Sequence, residues 1–247
     1  MLLSDHPLIS ERYFFPRSGS AGQHQIAVDG AQLACAQVNR GHTHTLLHFH
    51  GNGEIVDDYL PAFPDMMDDI GLNTFLAEYR GYGGSTGIPL LGTMRNDVEA
   101  IVEAAGPPET LVVFGRSIGS IYAIEAARRY PNIAGLVLES GIADVLERIL
   151  LRVSPQELGA SLTEIQEEFS ELFDHKKTLG AFRKPTLVLH AEHDHLVDTS
   201  HAQRNAKWVG DQAKLVILPR GDHNSIFAEN HQRYLAELES FTGALKA

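Results

Sequence analysis

Short apolar runs alternate with segments of helical hydrophobic spacing through most of this chain. The runs are HTLLHFH (44–50), LNTFLAEY (72–79), TLVVF (110–114), IAGLVLE (133–139), PTLVLHA (185–191) and KLVILP (214–219). Helical spacing falls at about 54–70, 93–105, 121–131, 201–208 and 225–245. Continuous apolar strands that alternate with helices are typical of a parallel sheet covered on both faces. We therefore predict an α/β fold with a mostly parallel central sheet and helices on both faces.

Two further apolar segments precede this alternation. QHQIAVDG and AQLACAQVN meet at Asp29-Gly30, a dipeptide that favours the tight turns of β-hairpins. Antiparallel strands are often added to the edge of a parallel sheet. We therefore predict a hairpin at this point, attached to the edge of the central sheet.

The alternation is interrupted between the strands predicted at 133–139 and 185–191. This stretch contains two candidate capping boxes, Ser154 with Glu157 and Ser161 with Glu164, which indicate helix starts. Five apolar residues that follow share one helical face: Leu162, Ile165, Phe169, Leu172 and Phe173. The stretch is therefore either an ordinary helical insertion packed on the sheet or a lid over a site at the strand ends.

Length, charge and cysteine content restrict the class of protein. The 247 residues suffice for one large α/β domain, and the formal net charge of −12 argues against nucleic acid or an anionic membrane surface as a partner. No apolar run is long enough to span a bilayer, and MLLSDHPLIS lacks the features of a signal peptide. Cys35 is the only cysteine, so we expect a small core residue and a reducing, cytoplasmic location.

The pattern Gly-x-Ser-x-Gly occurs twice, around Ser85 and around Ser117. A nucleophilic serine needs an exposed position on a sharp turn from a strand into a helix, with glycines where the chains approach closely. Ser117 follows an apolar strand and precedes a helical run, whereas Gly87-Ile-Pro89 would break any helix after Ser85. We therefore predict that Ser117 is the nucleophile and that Ser85 lies in a loop.

A serine nucleophile requires a histidine base and a carboxylate that orients the histidine. His223 is the only histidine in the loop after the last predicted strand, and Asp194 follows the strand before it. The chain order serine, acid, histidine is the order expected for this turn. We favour Asp194 as the acid, with Asp198, Glu192 and Glu139 as alternatives.

An acyl-transfer site also needs backbone amides that stabilise the oxyanion. One amide should belong to Ile118, which follows the predicted nucleophile. The other should come from the loop His50-Gly51-Asn52-Gly53, whose glycines allow the backbone to turn inward. We therefore predict that the amides of Asn52 and Ile118 form the oxyanion hole.

Five motifs occur in the order found in α/β-hydrolase-fold proteins: HFHGNG (48–53), YRGYGGSTG (79–87), GRSIGS (115–120), HAEHDHLVD (190–198) and GDHN (221–224). From about residue 25 to the C-terminus the chain resembles this superfamily. It most resembles the serine esterase and thioesterase branch with His-Gly-Asn, Tyr-Arg-Gly-Tyr-Gly and Gly-Arg-Ser-x-Gly-Ser motifs. Ala191 is a departure, because the family usually has glycine at this position of a His-Gly-x-x-Asp motif.

The resemblance implies a single domain over 1–247, with the insertion at about 141–183 as a helical cap. It also implies a triad of Ser117, Asp194 and His223. We therefore predict a serine hydrolase that cleaves carboxylic ester or thioester bonds of small or acyl substrates through an acyl-enzyme, without a cofactor or metal. The alternatives are a serine peptidase of the same fold and a non-catalytic binding protein.

Two features bear on the ligand. Histidines 42, 44, 48 and 50 have the same parity along one strand and raise a metal-dependent hydrolase as a further alternative. The expected partner is a small-molecule ester or thioester. The leucines and phenylalanines of the insertion favour an apolar acyl group, and Glu54, beside the oxyanion loop, is expected to disfavour anionic substrates.

Overall fold

An eight-stranded, mostly parallel sheet forms the centre of the molecule. The computed structural model describes residues 2–20 and 22–245. The strands are β1 (His24–Val28), β2 (Ala31–Val38), β3 (His44–Phe49), β4 (Leu72–Ala77), β5 (Leu111–Arg116), β6 (Gly135–Glu139), β7 (Thr186–Ala191) and β8 (Ala213–Leu218). They lie in the order β1-β2-β4-β3-β5-β6-β7-β8. All neighbours from β4 to β8 are parallel, and the antiparallel pairs β1–β2 and β2–β4 form the predicted hairpin edge.

Helices connect the strands and cover both faces of the sheet, as the alternation predicted. They are α1 (Pro7–Tyr13), α2 (Val56–Tyr59), α3 (Ala62–Asp69), α4 (Met94–Ala105), α5 (Gly119–Arg129), α6 (Val145–Ile149), α7 (Leu162–Leu172), α8 (His175–Ala181), α9 (Thr199–Val209) and α10 (Ile226–Ala244). Within the described chain, no helix is both long enough and apolar enough to cross a membrane.

The central strands are mainly apolar because each contributes to two separate cores. Successive residues of a strand point to opposite faces. In β3, Leu47 joins the core beneath α4 and α5, whereas Leu46 joins the core beneath α3 and α10. Val113 and Val112 of β5 divide in the same way. This double burial holds the carboxyl ends of the strands at fixed positions along one edge.

Two predicted helical stretches differ in detail from the structure. The stretch at 54–70 forms two helices, because Pro61 lies between α2 and α3 and cannot donate a helical hydrogen bond. Ser161 and Glu164 form the predicted capping box of α7. Ser154 and Glu157 make the same contacts, but the chain there closes only a turn.

The N-terminal segment 2–20 is a part of the fold that the hydrophobic pattern did not reveal. Its helix α1 buries only Ile9, too little for a periodic signal. Hydrogen bonds add to the packing of Ile9 and Phe14 in holding the segment. The amides of Leu3 and Ser4 donate to the Glu168 carboxylate of α7, at 2.8 and 2.7 Å. Further along, the amide of Gly83 donates to the carbonyl of Arg17, so the segment links the insertion to the core.

Candidate active site

Ser117 lies on the sharp turn between β5 and α5. Its φ is +51°, a left-handed conformation that residues with side chains rarely adopt. The flanking glycines allow close packing around this turn: a Cβ on Gly119 would lie 2.1 Å from the carbonyl oxygen of Phe49, and one on Gly115 would lie 2.6 Å from Ala123 Cβ. The strained residue is therefore the serine itself. The glycines have no side chain that would clash where the strand and helix meet.

Ser117, His223 and Asp194 form a continuous hydrogen-bonded line. His223 Nε2 lies 2.9 Å from Ser117 Oγ, and His223 Nδ1 lies 2.7 Å from Asp194 Oδ2. A carboxylate can only accept, so Nδ1 carries the proton and Nε2 is free to accept from the serine hydroxyl. The three side chains come from loops that follow β5, β7 and β8, at the same edge of the sheet.

Asp194 is buried and its second oxygen is also occupied. Oδ1 accepts from the amides of Leu196 and Val197 at 3.0 and 2.8 Å. Burial raises the pKa of Asp194, but its hydrogen bond and its electrostatic interaction with His223 outweigh burial and lower the pKa to about 2. The carboxylate is therefore ionised at neutral pH. Ala191, the last residue of β7, is not among the described residues that have a positive φ. Its backbone conformation therefore does not require the glycine that the family usually has at this position.

The alternative acids make other contacts. Asp198 caps α9 by accepting from the Ser200 amide at 2.9 Å. Glu139 accepts from Arg116 at 2.6 Å and from the Tyr234 hydroxyl. Glu192 is exposed. Within the described chain, none of these carboxylates has a hydrogen bond to His223.

Asn52 and Ile118 both line the pocket in front of Ser117. Across residues 2–20 and 22–245, no hydrogen bond is found from the backbone amide of either residue. The Asn52 side chain is held in place: its Oδ1 accepts from the Phe15 amide at 3.0 Å and the Tyr82 hydroxyl at 2.8 Å, and its Nδ2 donates to the Tyr13 carbonyl. The loop is thus fixed with its amide available to a ligand.

Arg116, which precedes the serine, links the loops around the site. Its Nε donates to Glu54 Oε1 at 2.7 Å, and its Nη1 donates to Glu139 Oε1 and to the carbonyl of His223 at 2.6 and 3.0 Å. Glu54 Oε2 in turn accepts from the Gly51 amide at 2.7 Å. Sequence reasoning missed this network. The available signal was a charged residue at the end of an otherwise apolar strand.

The Arg116 network changes the expectation for Glu54. Burial raises the pKa of Glu54, but Arg116 and the Tyr59 hydroxyl outweigh it and lower the pKa to about 2. The carboxylate is therefore neutralised by a guanidinium and saturated with hydrogen bonds. Glu54 does not present a free negative charge to a ligand, and the expected discrimination against anions has no basis in its environment.

The pocket in front of Ser117 has a volume of about 250 Å³. Its walls come from the loops of the site, from the N-terminal segment through Tyr13 and Phe15, and from the insertion through Ile142, Arg148 and Arg152. The apolar face of α7 does not line it, because Ile165, Phe169 and Phe173 pack in the core. The insertion therefore contributes arginines to the pocket wall rather than the leucines and phenylalanines expected from the sequence.

The cysteine, the histidines considered for a metal site and the second Gly-x-Ser-x-Gly serine all have contacts typical of structural residues. Cys35 is buried, and burial raises the pKa of its thiol to about 12. His42 pairs with Asp68, and His50 pairs with Glu78 in the interior, each at 2.7 Å. Among the described residues, no cluster of three or more histidine, cysteine or acidic side chains could hold a metal ion. Ser85 lies in a loop and its hydroxyl accepts from the Ala34 amide at 2.8 Å.

Comparisons with known proteins agree with this architecture. The family model described as serine aminopeptidase S33 (Hydrolase_4) matches residues 41–173, more than half of the chain. The chain is 24% identical to the uncharacterized protein YfhR of Escherichia coli O157:H7, over 76% of this chain and 65% of that protein. It is 28% identical to the alpha/beta hydrolase domain-containing protein aho-3 of Caenorhabditis elegans, over 80% of this chain and 57% of that protein. The chain thus spans roughly three-fifths of the length of these relatives.

The fold also matches solved structures. The esterase Pf2001 of Pyrococcus furiosus superposes with a TM-score of 0.70 at 18% identity, covering 90% of this chain and 91% of that chain. At this identity the likeness concerns the fold alone.

Proposed function

Because the chain belongs to the serine aminopeptidase S33 family of hydrolases, within the α/β-hydrolase superfamily, we propose that it is a serine hydrolase of carboxylic esters or thioesters. The proposal rests on one observation, the hydrogen-bonded line from Asp194 through His223 to Ser117 at the base of a pocket. The motifs shared with the esterase and thioesterase branch support the same conclusion.

In the proposed mechanism, His223 Nε2 takes the hydroxyl proton as Ser117 Oγ attacks the carbonyl carbon. The amides of Asn52 and Ile118 stabilise the oxyanion, and Asp194 stabilises the imidazolium. His223 then gives its proton to the leaving alkoxide or thiolate, which leaves an acyl-serine. Water, deprotonated by His223, attacks this intermediate and releases the carboxylic acid with the free serine.

The family description favours an aminopeptidase as a second candidate. Such an enzyme must bind the free ammonium group of its substrate, and a carboxylate close to the nucleophile is the usual partner for that charge. Among the described residues, Glu54 is the only carboxylate that lines the pocket, and Arg116 neutralises it. The charge of the pocket therefore favours an ester or thioester over a peptide with a free amino terminus.

We also propose that the insertion at about 141–183 is a cap on a single domain. The proposal rests on three residues of the insertion that form part of the pocket wall: Ile142, Arg148 and Arg152. Helices α6, α7 and α8 give this segment its helical character.

A fluorophosphonate probe followed by mass spectrometry tests the function. We expect a single adduct on Ser117, and Ser117→Ala should abolish labelling and lower ester hydrolysis by about 10⁴-fold or more while the melting temperature stays close to wild type. Ser85→Ala, a serine in the same five-residue pattern, should retain both. Turnover of aminoacyl anilides in preference to esters and thioesters would favour the peptidase, and no adduct with no turnover would favour a binding protein.

A further inference from the structure

Arg148 and Arg152 line the pocket in front of Ser117 without an acidic partner. Neither side chain forms an ion pair with any carboxylate in the described part of the chain. The acids nearest in sequence are engaged elsewhere, since Glu147 pairs with Arg204 and Glu157 pairs with Arg12. Two guanidinium groups therefore face the pocket with uncompensated charge.

The two arginines lie close together in sequence and line the same pocket. They are four residues apart, with Arg148 at the end of α6 and Arg152 just beyond the helix. The Arg152 guanidinium lies over the rings of Tyr13 and Phe15, at 5.3 and 5.7 Å from the ring centres. Its Nη1 also donates to the Arg12 carbonyl at 2.8 Å. Arg152 is thus oriented before any ligand arrives.

The charge of the pocket is opposite to that of the molecule. The chain carries a formal net charge of −12. Of the residues that line the pocket, Arg116, Arg148 and Arg152 are cationic, and Glu54 alone is anionic. Since Glu54 pairs with Arg116, the surplus is the charge of Arg148 and Arg152. A concave cationic site on an acidic protein attracts anions selectively, because repulsion from the rest of the surface leaves this pocket as the favourable place to bind.

We propose that the substrate carries an anionic oxygen group, a carboxylate or a phosphate-type group, which Arg148 and Arg152 bind beside the reacting carbonyl. This inference rests on the proposed ester or thioester hydrolysis and names its substrate class. Guanidinium groups bind such oxygens through charge-assisted, often paired hydrogen bonds. A pocket of about 250 Å³ lies below the usual range for small-molecule sites, so only a short linker separates the charge from the carbonyl.

Matched 4-nitrophenyl esters test the proposal on the full chain. The neutral ester is the pentanoate, and the anionic esters are the glutarate monoester and the 4-phosphonobutanoate, which have acyl chains of similar length. We expect kcat/KM of wild type to be at least about 10-fold higher for one anionic ester than for the pentanoate. The better of the two anionic esters identifies the group as carboxylate or phosphate-type.

Arg148→Gln should lower the ratio of kcat/KM for the anionic ester to that for the pentanoate by about 10- to 100-fold, and Arg148→Lys should restore part of it. Arg183→Gln, which removes an exposed arginine that does not line the pocket, is the matched control and should keep the wild-type ratio. Equal kcat/KM for anionic and neutral esters in wild type, or an unchanged ratio in Arg148→Gln, overturns this inference alone. Loss of the Ser117 adduct and of all ester turnover overturns the proposed function instead.

Discussion

Ser117 is held in an unfavourable backbone conformation by the strand beside it. Its amide donates to the Glu139 carbonyl of β6 at 2.8 Å, and its own carbonyl accepts from the Ser120 hydroxyl at 2.6 Å. A left-handed conformation costs a residue with a side chain about 1–2 kcal/mol. The contacts with β6 and α5 offset that cost, so the position of the hydroxyl depends on the packed sheet rather than on local preference.

The proposed role of Asp194 can be tested by a substitution that removes its charge and keeps its shape. Asp194→Asn should lower kcat by about 10⁴-fold, because an amide cannot hold the His223 tautomer that accepts from the serine. The stability of the fold should change much less than the rate. Steady-state ester kinetics and the rate of fluorophosphonate labelling give the result.

Asp198→Asn is the matched control for this substitution. Asparagine caps a helix about as well as aspartate, so α9 should survive the change and activity should remain within a few-fold of wild type. If Asp198→Asn instead caused the larger loss, Asp194 would not be the acid.

At the scale of elements, the contact between β3 and α5 fixes the turn that carries Ser117. Gly119→Ala should lower the free energy of unfolding by about 1–3 kcal/mol, because its Cβ would lie 2.1 Å from the Phe49 carbonyl oxygen. Activity should fall as well, since the displaced backbone leads directly into the His50-Gly51 loop. Chemical denaturation and ester kinetics measure the two effects.

Gly243→Ala provides the opposite case in α10. Nothing lies within 4 Å of a Cβ at this position, and alanine favours helix more than glycine. The free energy of unfolding should rise by up to about 1 kcal/mol without a change in activity. A similar loss of stability in both variants would mean that the tight packing at Gly119 is not the cause.

The sequence predicts the sheet well because its central strands are buried on both faces and are therefore mainly apolar. β5, β6 and β7 are clear examples. Helix α1 was missed because it buries only Ile9, and the residues before it are held by the hydrogen bonds that Leu3 and Ser4 donate to Glu168. At Ser154 the sequence predicts a helix that does not form. The local capping contacts are present, but no packing extends the turn into a helix.

In the candidate site too, residues that follow a strand could be predicted from the sequence, whereas contacts between distant loops could not. Ser117, Asp194 and His223 could be placed because each follows a recognisable strand, and parallel strands end at one edge. The contacts of Arg116 with Glu54 and Glu139 could not be predicted, since loops distant in sequence bring those partners together. Nor could the sequence pair Arg152 with Tyr13, which lies 139 positions earlier.

At the scale of the whole molecule, buried histidines make stability depend on pH. Burial lowers the pKa of His48 to about 3 and that of His175 to about 4. Below about pH 6.5 the unfolded chain binds protons at both positions while the folded protein does not, so stability falls as the pH falls toward those values. Each histidine contributes a slope of up to about 1.4 kcal/mol per pH unit.

His48→Phe isolates one of these contributions. His48 packs among the rings of Tyr59, Phe63 and Phe114, which can accommodate another aromatic ring. The variant should lose less stability than wild type between pH 6.5 and 4, by up to about 1.4 kcal/mol per pH unit, in urea unfolding measured at several pH values. His231→Phe, on the exposed side of α10, should follow wild type. A slope that His48→Phe leaves unchanged would contradict the assignment.

The N-terminal segment forms part of the pocket wall but lies outside the region that the family model matches. The region matched by the family model begins at residue 41, whereas Tyr13 and Phe15 orient Arg152 and pin the Asn52 side chain from outside it. The wall of the pocket therefore depends in part on residues that the family match does not include. Changes in this segment would then alter which substrates enter the pocket, while Ser117, Asp194 and His223 stay in place on the loops after β5, β7 and β8.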